Sequence, residues 1–590
     1  MNTKPQTSNT LLKLLFYAAF SFITYEFQAQ QVLSQLKIER GASNNQNEFM
    51  VTDQQGNFYV GLDFATDRDS IIIGDTSVSS FRVDPETIFL DLTDFYLFRF
   101  NPQHVLTGSF VIDNAEEVED FYSSGRYSLI SLSLHTQEDP DSAYPITLNG
   151  TTEISRDGNR GKGALIVLDE QMQLEKYVFL STGKLGQVAI DDHYAYLEFR
   201  IPDGAPYILV GQDTVHNYSA WPLMEFGYQT IVLCKYDLVT DEILWWRRMG
   251  GALKDELRDI LIDSKGNLII HGWTSSGWFF FTEQDTAVNY QEDKPFFAKL
   301  SPEGDILWWI LHTNQHGELF HTIKLDKEDN LYSLGEYIWD DYIIEDTILH
   351  NPRWMDGRRT DRALVVKYDT YGEFKWISQL EGDFLSATLF DIAIQQEVII
   401  VSGFFRQGGA KFGNIEHEIN IGEENVFLWG MHPETGNYRS HGYDSGENVG
   451  RIANLCSDQQ DILNMYFISG GDEEIFGTFF PGDPGGGYLV KCTADLISSI
   501  PTDAPPGNDY LIYPYPILMG ENIRILNSDV QYGQKVFYTI YSIWGVTTFS
   551  DVGVVLDEYQ EIITSGLLPG IYVISLQIGN KSINQRLIVQ

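Results

Sequence analysis

Cysteine is scarce: Cys234, Cys456 and Cys492 are the only three in 590 residues. Three scattered thiols exclude a disulfide-stapled scaffold in an exported chain. No CxxC spacing or paired histidine accompanies them, which removes the usual zinc frameworks, so all three read as small core residues. Basic residues are few as well, 39 against 83 acidic ones, for a formal charge of -44. Such a surface disfavours DNA, RNA and anionic bilayers and reads as a solvated acidic coat. Past the N-terminus no segment approaches the roughly 18 uninterrupted apolar residues of a membrane helix, so no transmembrane span is expected. Catalytic signatures are missing too: there is no HExxH, no GxSxG elbow and no Walker-type loop ending in Lys-Ser or Lys-Thr.

What is present begins with an address. Lys4 and Lys13 precede an apolar stretch from Leu14 to Phe22, and Ala29 follows before Gln30. Residues 1–29 therefore read as a secretory signal peptide. The rest, 43% apolar over the whole chain, is ample for large buried cores.

Two phrases then alternate along the chain. One is a hairpin, "FFAKLSPEGDILWW" at Phe296, with relatives at Tyr96, Leu165, Ile231, Leu364, Phe427 and Tyr488, seven copies in all. The other is a polar turn and an apolar strand often closed by Gly, "DSKGNLIIHG" at Asp263, with relatives at Asp53, Gly125, Asp192, Glu328, Glu397 and Asp461. Like halves recur every 60 to 75 residues or so, as expected of four-stranded blades carrying an extra hairpin. The extra hairpin has its own mark, Asp-Thr between two apolar runs, at Ile71, Ile208, Phe279 and Tyr342. The periodic region opens on a turn phrase at Val51 and ends on a hairpin at Tyr488, so joining these two orphans closes a ring and removes free sheet edges. The count predicts an all-β, seven-bladed β-propeller with split-blade closure over 31–497, or six or eight blades if the degenerate unit near Gly125 is misread. An open solenoid uses shorter repeats and tandem sandwiches need about 100 residues per module.

The Lys and Tyr-Asp strand, the Trp-bearing strand and the "D..GN.Y..G" phrase resemble the SBBP-type β-propeller repeats of exported bacterial proteins, most closely at Ile231, Phe296 and Leu364. That resemblance implies a fold and no activity. After Ile497 the chain turns Pro-, Ser- and Asp-rich, a linker over 498–510. Residues 511–590 resemble the type A C-terminal sorting domain of the type IX secretion system, a small β-sandwich. The matching elements are Tyr513, Pro514, Tyr515 and Pro516, with Tyr515 where the family has Asn, the strand from Tyr541 to Gly545, and Pro569, Gly570 and Tyr572 in "LLPGIYVISL". The resemblance implies the type IX machinery as partner and a secreted or outer-surface location.

Chemistry is thinner on the page. His312, His316 and His321 share one segment, read as an inter-strand loop without metal geometry. The turns "DQQGN" and "DSKGN" offer one Asp each, too few for a calcium loop, and read as hairpin turns. Trp245, Trp246, Trp308, Trp309 and Trp376 hold equivalent strand positions and read as packing between blades. Trp221, Trp273, Trp278, Trp339 and Trp354 fall off that pattern, near connections, and are the candidate ligand-binding residues. No catalytic residue is singled out, and no cofactor or metal is expected. The reading is a monomeric, secreted or surface-displayed binding and scaffold protein whose ligand is an extracellular glycan or protein. The alternative is a propeller-type polysaccharide hydrolase or lyase with acidic residues at the channel mouth.

Overall fold

The computed structural model describes residues 32–39, 48–53, 55–64, 70–73, 76–79, 93–115, 117–134, 146–155, 162–201, 205–217, 230–282, 285–288, 294–312, 318–337, 342–344, 347–350, 360–413, 415–419, 424–446, 450–457, 463–468, 473–475, 478–480 and 487–492, and, further on, 510–513, 523–527, 535–542, 547–554, 559–562, 570–578 and 581–589. Among the described residues every regular element is a strand. The signal peptide and most of the linker lie outside them.

Seven four-stranded antiparallel sheets follow one another as blades. Innermost strand first, blade 1 takes Glu48–Thr52, Phe58–Phe64, Thr93–Phe100 and Leu106–Ala115, and blade 2 takes Glu117–Ser123, Ser128–Ser133, Gly163–Leu168 and Leu174–Val178. Blade 3 takes Lys184–Asp191, Tyr194–Ile201, Thr230–Asp237 and Glu242–Met249, and blade 4 takes Asp255–Ile262, Leu268–Thr274, Lys294–Leu300 and Ile306–Leu311. Blade 5 takes Glu318–Leu325, Leu331–Tyr337, Arg362–Tyr368 and Phe374–Gln379, and blade 6 takes Glu381–Ile394, Ile399–Phe412, Glu424–Met431 and Tyr438–Gly446. The two middle strands of a blade are covered on both faces, so they read as unbroken apolar runs: all seven residues of Lys294–Leu300 are buried. The outermost strand Ile306–Leu311 alternates instead, one face against the neighbouring blade and one toward solvent.

Blade 7 is assembled from both ends of this region. Arg451–Ser457, Leu463–Ile468 and Gly487–Cys492 receive their outermost partner from Val32–Glu39, paired antiparallel from Val32 with Cys492 to Ile38 with Gly487. The ring therefore closes on a split blade, but not through the orphans that the repeat count joined. The Val51 phrase supplies the inner half of blade 1, where Phe58–Phe64 pairs with Thr93–Phe100. Each turn phrase and the hairpin after it make one blade, so the Tyr488 hairpin lacks a single strand. "VLSQLKIE" supplies it without any turn punctuation to mark it.

The recurrent Lys and Trp are ties between blades. Lys367 Nζ and Trp376 Nε1 both donate to the Pro433 carbonyl in the next blade, each at 3.0 Å. Lys235 with Trp245 reach Pro302 O, and Lys299 with Trp308 reach Thr370 O, in the same manner. Where the motif is degenerate, Arg99 donates to Glu170 O and Lys176 to Leu238 O, so the tie outlasts the consensus. The turn that supplies the carbonyl packs on the ring: a Cβ at Gly436, whose φ is +66°, would lie 2.4 Å from Trp376 Cε3. Trp246 and Trp309 make no such tie to the next blade, although Trp246 packs against the core between blades 2 and 3. Trp246 donates to Asp213, and Trp309 stacks on Phe281 with 37% of its surface exposed.

The Asp-Thr segments form hairpins, Ser70–Ile73 with Thr76–Ser79, Tyr207–Val210 with Asp213–His216, Trp278–Phe280 with Thr286–Val288, and Tyr342–Ile344 with Thr347–Leu349. Each insert reaches back to the preceding blade. Ser70–Ile73 pairs with the closing strand, Val210 bridges Ser181, Phe280 bridges Gly250, and the Tyr342 hydroxyl bonds His312. A further hairpin, Ile146–Leu148 with Thr152–Ile154, extends blade 1 in the same way.

A second compact unit spans Ser498–Gln590. Its strands form two antiparallel sheets, Tyr510–Tyr513, Ile523–Asn527 and Tyr559–Ile562 in one, and Thr547–Val554, Lys535–Ser542, Gly570–Ile578 and Lys581–Val589 in the other.

Candidate functional site

Six of the seven innermost strands, those of blades 2 to 7, carry a register break at one equivalent position, for example between Leu257 and Asp259. A bulge leaves an N–H without a ladder partner. In three blades an aspartate at the bulge supplies the acceptor. Asp120 Oδ2 accepts from Val188 N at 2.8 Å in the next blade while its Oδ1 accepts from Phe121 N at 2.7 Å. Asp391 repeats this with Leu455 and Ile392, and Asp259 with Ile323 and Ile260. Blades 3, 5 and 7 place Gln187, Thr322 and Asn454 at that position, and blade 1 places Phe49. Charge therefore alternates with neutral side chains around the axis, which keeps the three carboxylates out of adjacent blades.

All seven innermost strands line an axial cavity of about 500 Å³. Besides the three aspartates it presents Tyr122, Arg258, Lys324 and Cys456. Lys324 Nζ lies 3.9 Å from Asp391 Oδ1, and that carboxylate holds the ammonium pKa above its ordinary value. Burial raises all three carboxyls, Asp120 well above the usual range, Asp391 less, and Asp259 to about 6 with Lys324 opposing. Cys456 is half-buried, packed against the core between blades 7 and 1 at the rim of the channel, and Cys234 is fully buried between blades 2 and 3. Cys492 lies on a described strand without a described side chain.

These shifts have a sign. Asp259 binds its proton more tightly in the folded chain than at its unfolded value near 3.8, so its contribution to stability grows as pH falls from about 7 to 4. Asp259→Asn is expected to flatten the pH dependence of stability in that window, read by urea unfolding at stepped pH. An unchanged slope contradicts the assignment.

Other candidates resolve into structure. His312 is buried, bonded to the hydroxyls of Tyr342 at 2.8 Å and Tyr368 at 2.9 Å, and burial pushes it down to about 3. His321 lies on the innermost strand of blade 5 and not in a loop, 3.8 Å from Glu336, while His316 is outside the described residues. The turn aspartates are filled: Asp263 accepts from Lys265 N, Asn267 N, Asn267 Nδ2 and Lys299 Nζ within 2.9 Å. Among the off-pattern tryptophans, Trp278 opens the blade 4 insert and is 61% exposed. Trp273 is half-buried, with Lys254 Nζ 4.7 Å and Arg258 5.9 Å from its ring centre. Trp221, Trp339 and Trp354 lie outside the described residues, as do Pro514, Tyr515, Pro516 and Pro569. Tyr513 ends one strand of the C-terminal unit, and Gly570 and Tyr572 lie on another.

The channel aspartates were not singled out from the sequence, although Asp120-Phe121, Asp259-Ile260 and Asp391-Ile392 each stand four to six residues ahead of a turn phrase, at Gly125, Asp263 and Glu397. Their role needs the neighbouring blade to be visible.

No family model matches the chain, and no curated protein matches it. Among solved structures, a fungal alcohol oxidase of the AA5 family in complex with copper aligns over 93% of this chain and 100% of its own at 10% identity and TM-score 0.29. A member of the DUF4221 family from Bacteroides vulgatus aligns over 63% of this chain and 91% of its own at 10% identity and TM-score 0.27. The acylaminoacyl peptidase of Pyrococcus horikoshii aligns over 71% of this chain, which spans 59% of that enzyme, at 9% identity and TM-score 0.27. Likenesses this low bear on no activity. Among the described residues no helix is long and apolar enough to cross a membrane.

Proposed function

We propose that this chain is an exported β-propeller binding and scaffold protein of the SBBP repeat type, with an extracellular glycan or protein as ligand. Residues 511–590 serve as a β-sandwich sorting domain for the type IX secretion machinery, which leaves the propeller secreted or on the outer cell surface. The carrying observation is Trp278, an exposed indole at the start of an insert whose inner residues, Phe279 and Phe281, are anchored in the blade 4 core. A flat apolar ring on a fixed mount suits a sugar face or a protein side chain. Trp278→Ala is expected to lower retention on the recognised polysaccharide about tenfold with no change in unfolding midpoint. Equal retention sinks the assignment of that residue. Deleting Leu511 to Gln590 in the native host is expected to trap the propeller inside the cell, and its continued appearance outside refutes the export route.

The hydrolase or lyase alternative draws on the three channel carboxylates with raised pKa. Each already accepts two backbone N–H groups, an arrangement that suits a structural tie better than an acid or base that must exchange protons with substrate.

A further inference from the structure

The blade 6 insert departs from the inserts of blades 1 to 5. Its strand Ile415–Ile419 pairs with Ile399–Phe412 of its own blade, so it folds over blade 6 and does not reach back. There His417 meets His441 of the outermost strand, Nε2 to Nε2 at 2.7 Å. Both rings are clamped. His441 stacks on Phe412 with centroids 4.8 Å apart and planes 4° from parallel, and His417 stacks on Tyr443 at 4.1 Å and 25°. Tyr438 Oη bonds His441 Nδ1 at 2.9 Å. With that hydroxyl accepting the Nδ1 proton, His441 Nε2 carries a lone pair aimed at His417.

From this geometry we infer that His417 and His441 form a two-imidazole site for a late first-row divalent cation, Zn(II) or Cu(II), that staples the blade 6 insert to its outermost strand. Imidazole nitrogen suits these metals, and a ligand histidine whose other nitrogen is held by a hydrogen bond is the usual second contact, here Tyr438. The half-buried His417 leaves room for water to complete the shell. Each ring binds metal through a neutral, unprotonated nitrogen. The exposed Glu416 and Glu418 flank His417 with negative charge. Binding moves one proton: the His417 Nε2–H that bridges the pair is replaced by Nδ1–H through solvent exchange, which frees the second lone pair.

Full-length protein freed of metal by chelator is titrated calorimetrically with ZnCl2 and CuCl2, with MgCl2 as the control. The expected result is one site that ignores Mg(II), is weakened at least about tenfold in His417→Gln and in His441→Gln, and about tenfold in Tyr438→Phe. The Cu(II) electron paramagnetic resonance spectrum of wild type, which needs no variant to fold, is expected to show coupling to two imidazole nitrogens. Absence of a site in wild type, coupling to fewer than two nitrogens, or equal affinity in well-folded histidine variants overturns the inference.

Discussion

A chain that begins at Arg40 in place of Gln31 is expected to lose cooperative unfolding of its propeller and to self-associate. Val32–Glu39 makes six residue pairs with Gly487–Cys492. Six antiparallel pairs carry about six ladder hydrogen bonds, and at a net value of ~1 kcal/mol each their loss costs about 6 kcal/mol, a large share of the stability of any domain. The same strand anchors the hairpin Ser70–Ser79 through Ile38 and Glu39, so its removal strips blade 7 of both outer layers. The open edge of Gly487–Cys492 is then a template for other chains. Size-exclusion chromatography and urea unfolding of the two chains read both effects. A truncated chain with an unchanged midpoint and a monomeric profile contradicts closure by this strand.

Trp376→Ala is expected to destabilise the propeller by about 4 kcal/mol, the range for a large aromatic removed from a core. Trp376 is 7% exposed, packs in the blade 5 to blade 6 core, and shares the Pro433 carbonyl with Lys367. Trp309→Ala, at a half-exposed stack on Phe281, is expected to cost only about 1 kcal/mol. Urea unfolding of the pair separates them. Similar losses contradict the division of these tryptophans into ties between blades and surface stacks.

That division shows where a single sequence stops. The blade count was legible because each blade writes its own strands in order, with middle strands as apolar runs and turns marked by Asp, Asn and Gly. The grouping of Trp245, Trp246, Trp308, Trp309 and Trp376 was half legible. Repeat position places all five on outermost strands, but adjacent residues face opposite sides of a strand, so Trp308 and Trp309 cannot both enter the core. Closure was legible in kind and misassigned in detail, since the strand at Val32 has no partner near it in sequence. The backward reach of the inserts, the bulge aspartates and the His417–His441 contact join residues 24 to 68 positions apart, most of them across a blade boundary, and no local pattern encodes such a pairing. For ligand recognition the sequence offered five tryptophans, of which the structure exposes Trp278 and places Trp273 against Lys254 and Arg258.

The propeller is proposed to bind an extracellular ligand without transforming it. The most direct test applies the purified chain to an array of extracellular polysaccharides and reads both retention and new reducing ends. Retention on at least one polysaccharide with no new reducing ends is the predicted result. New reducing ends that disappear in Asp259→Asn would contradict it and make the channel an active site.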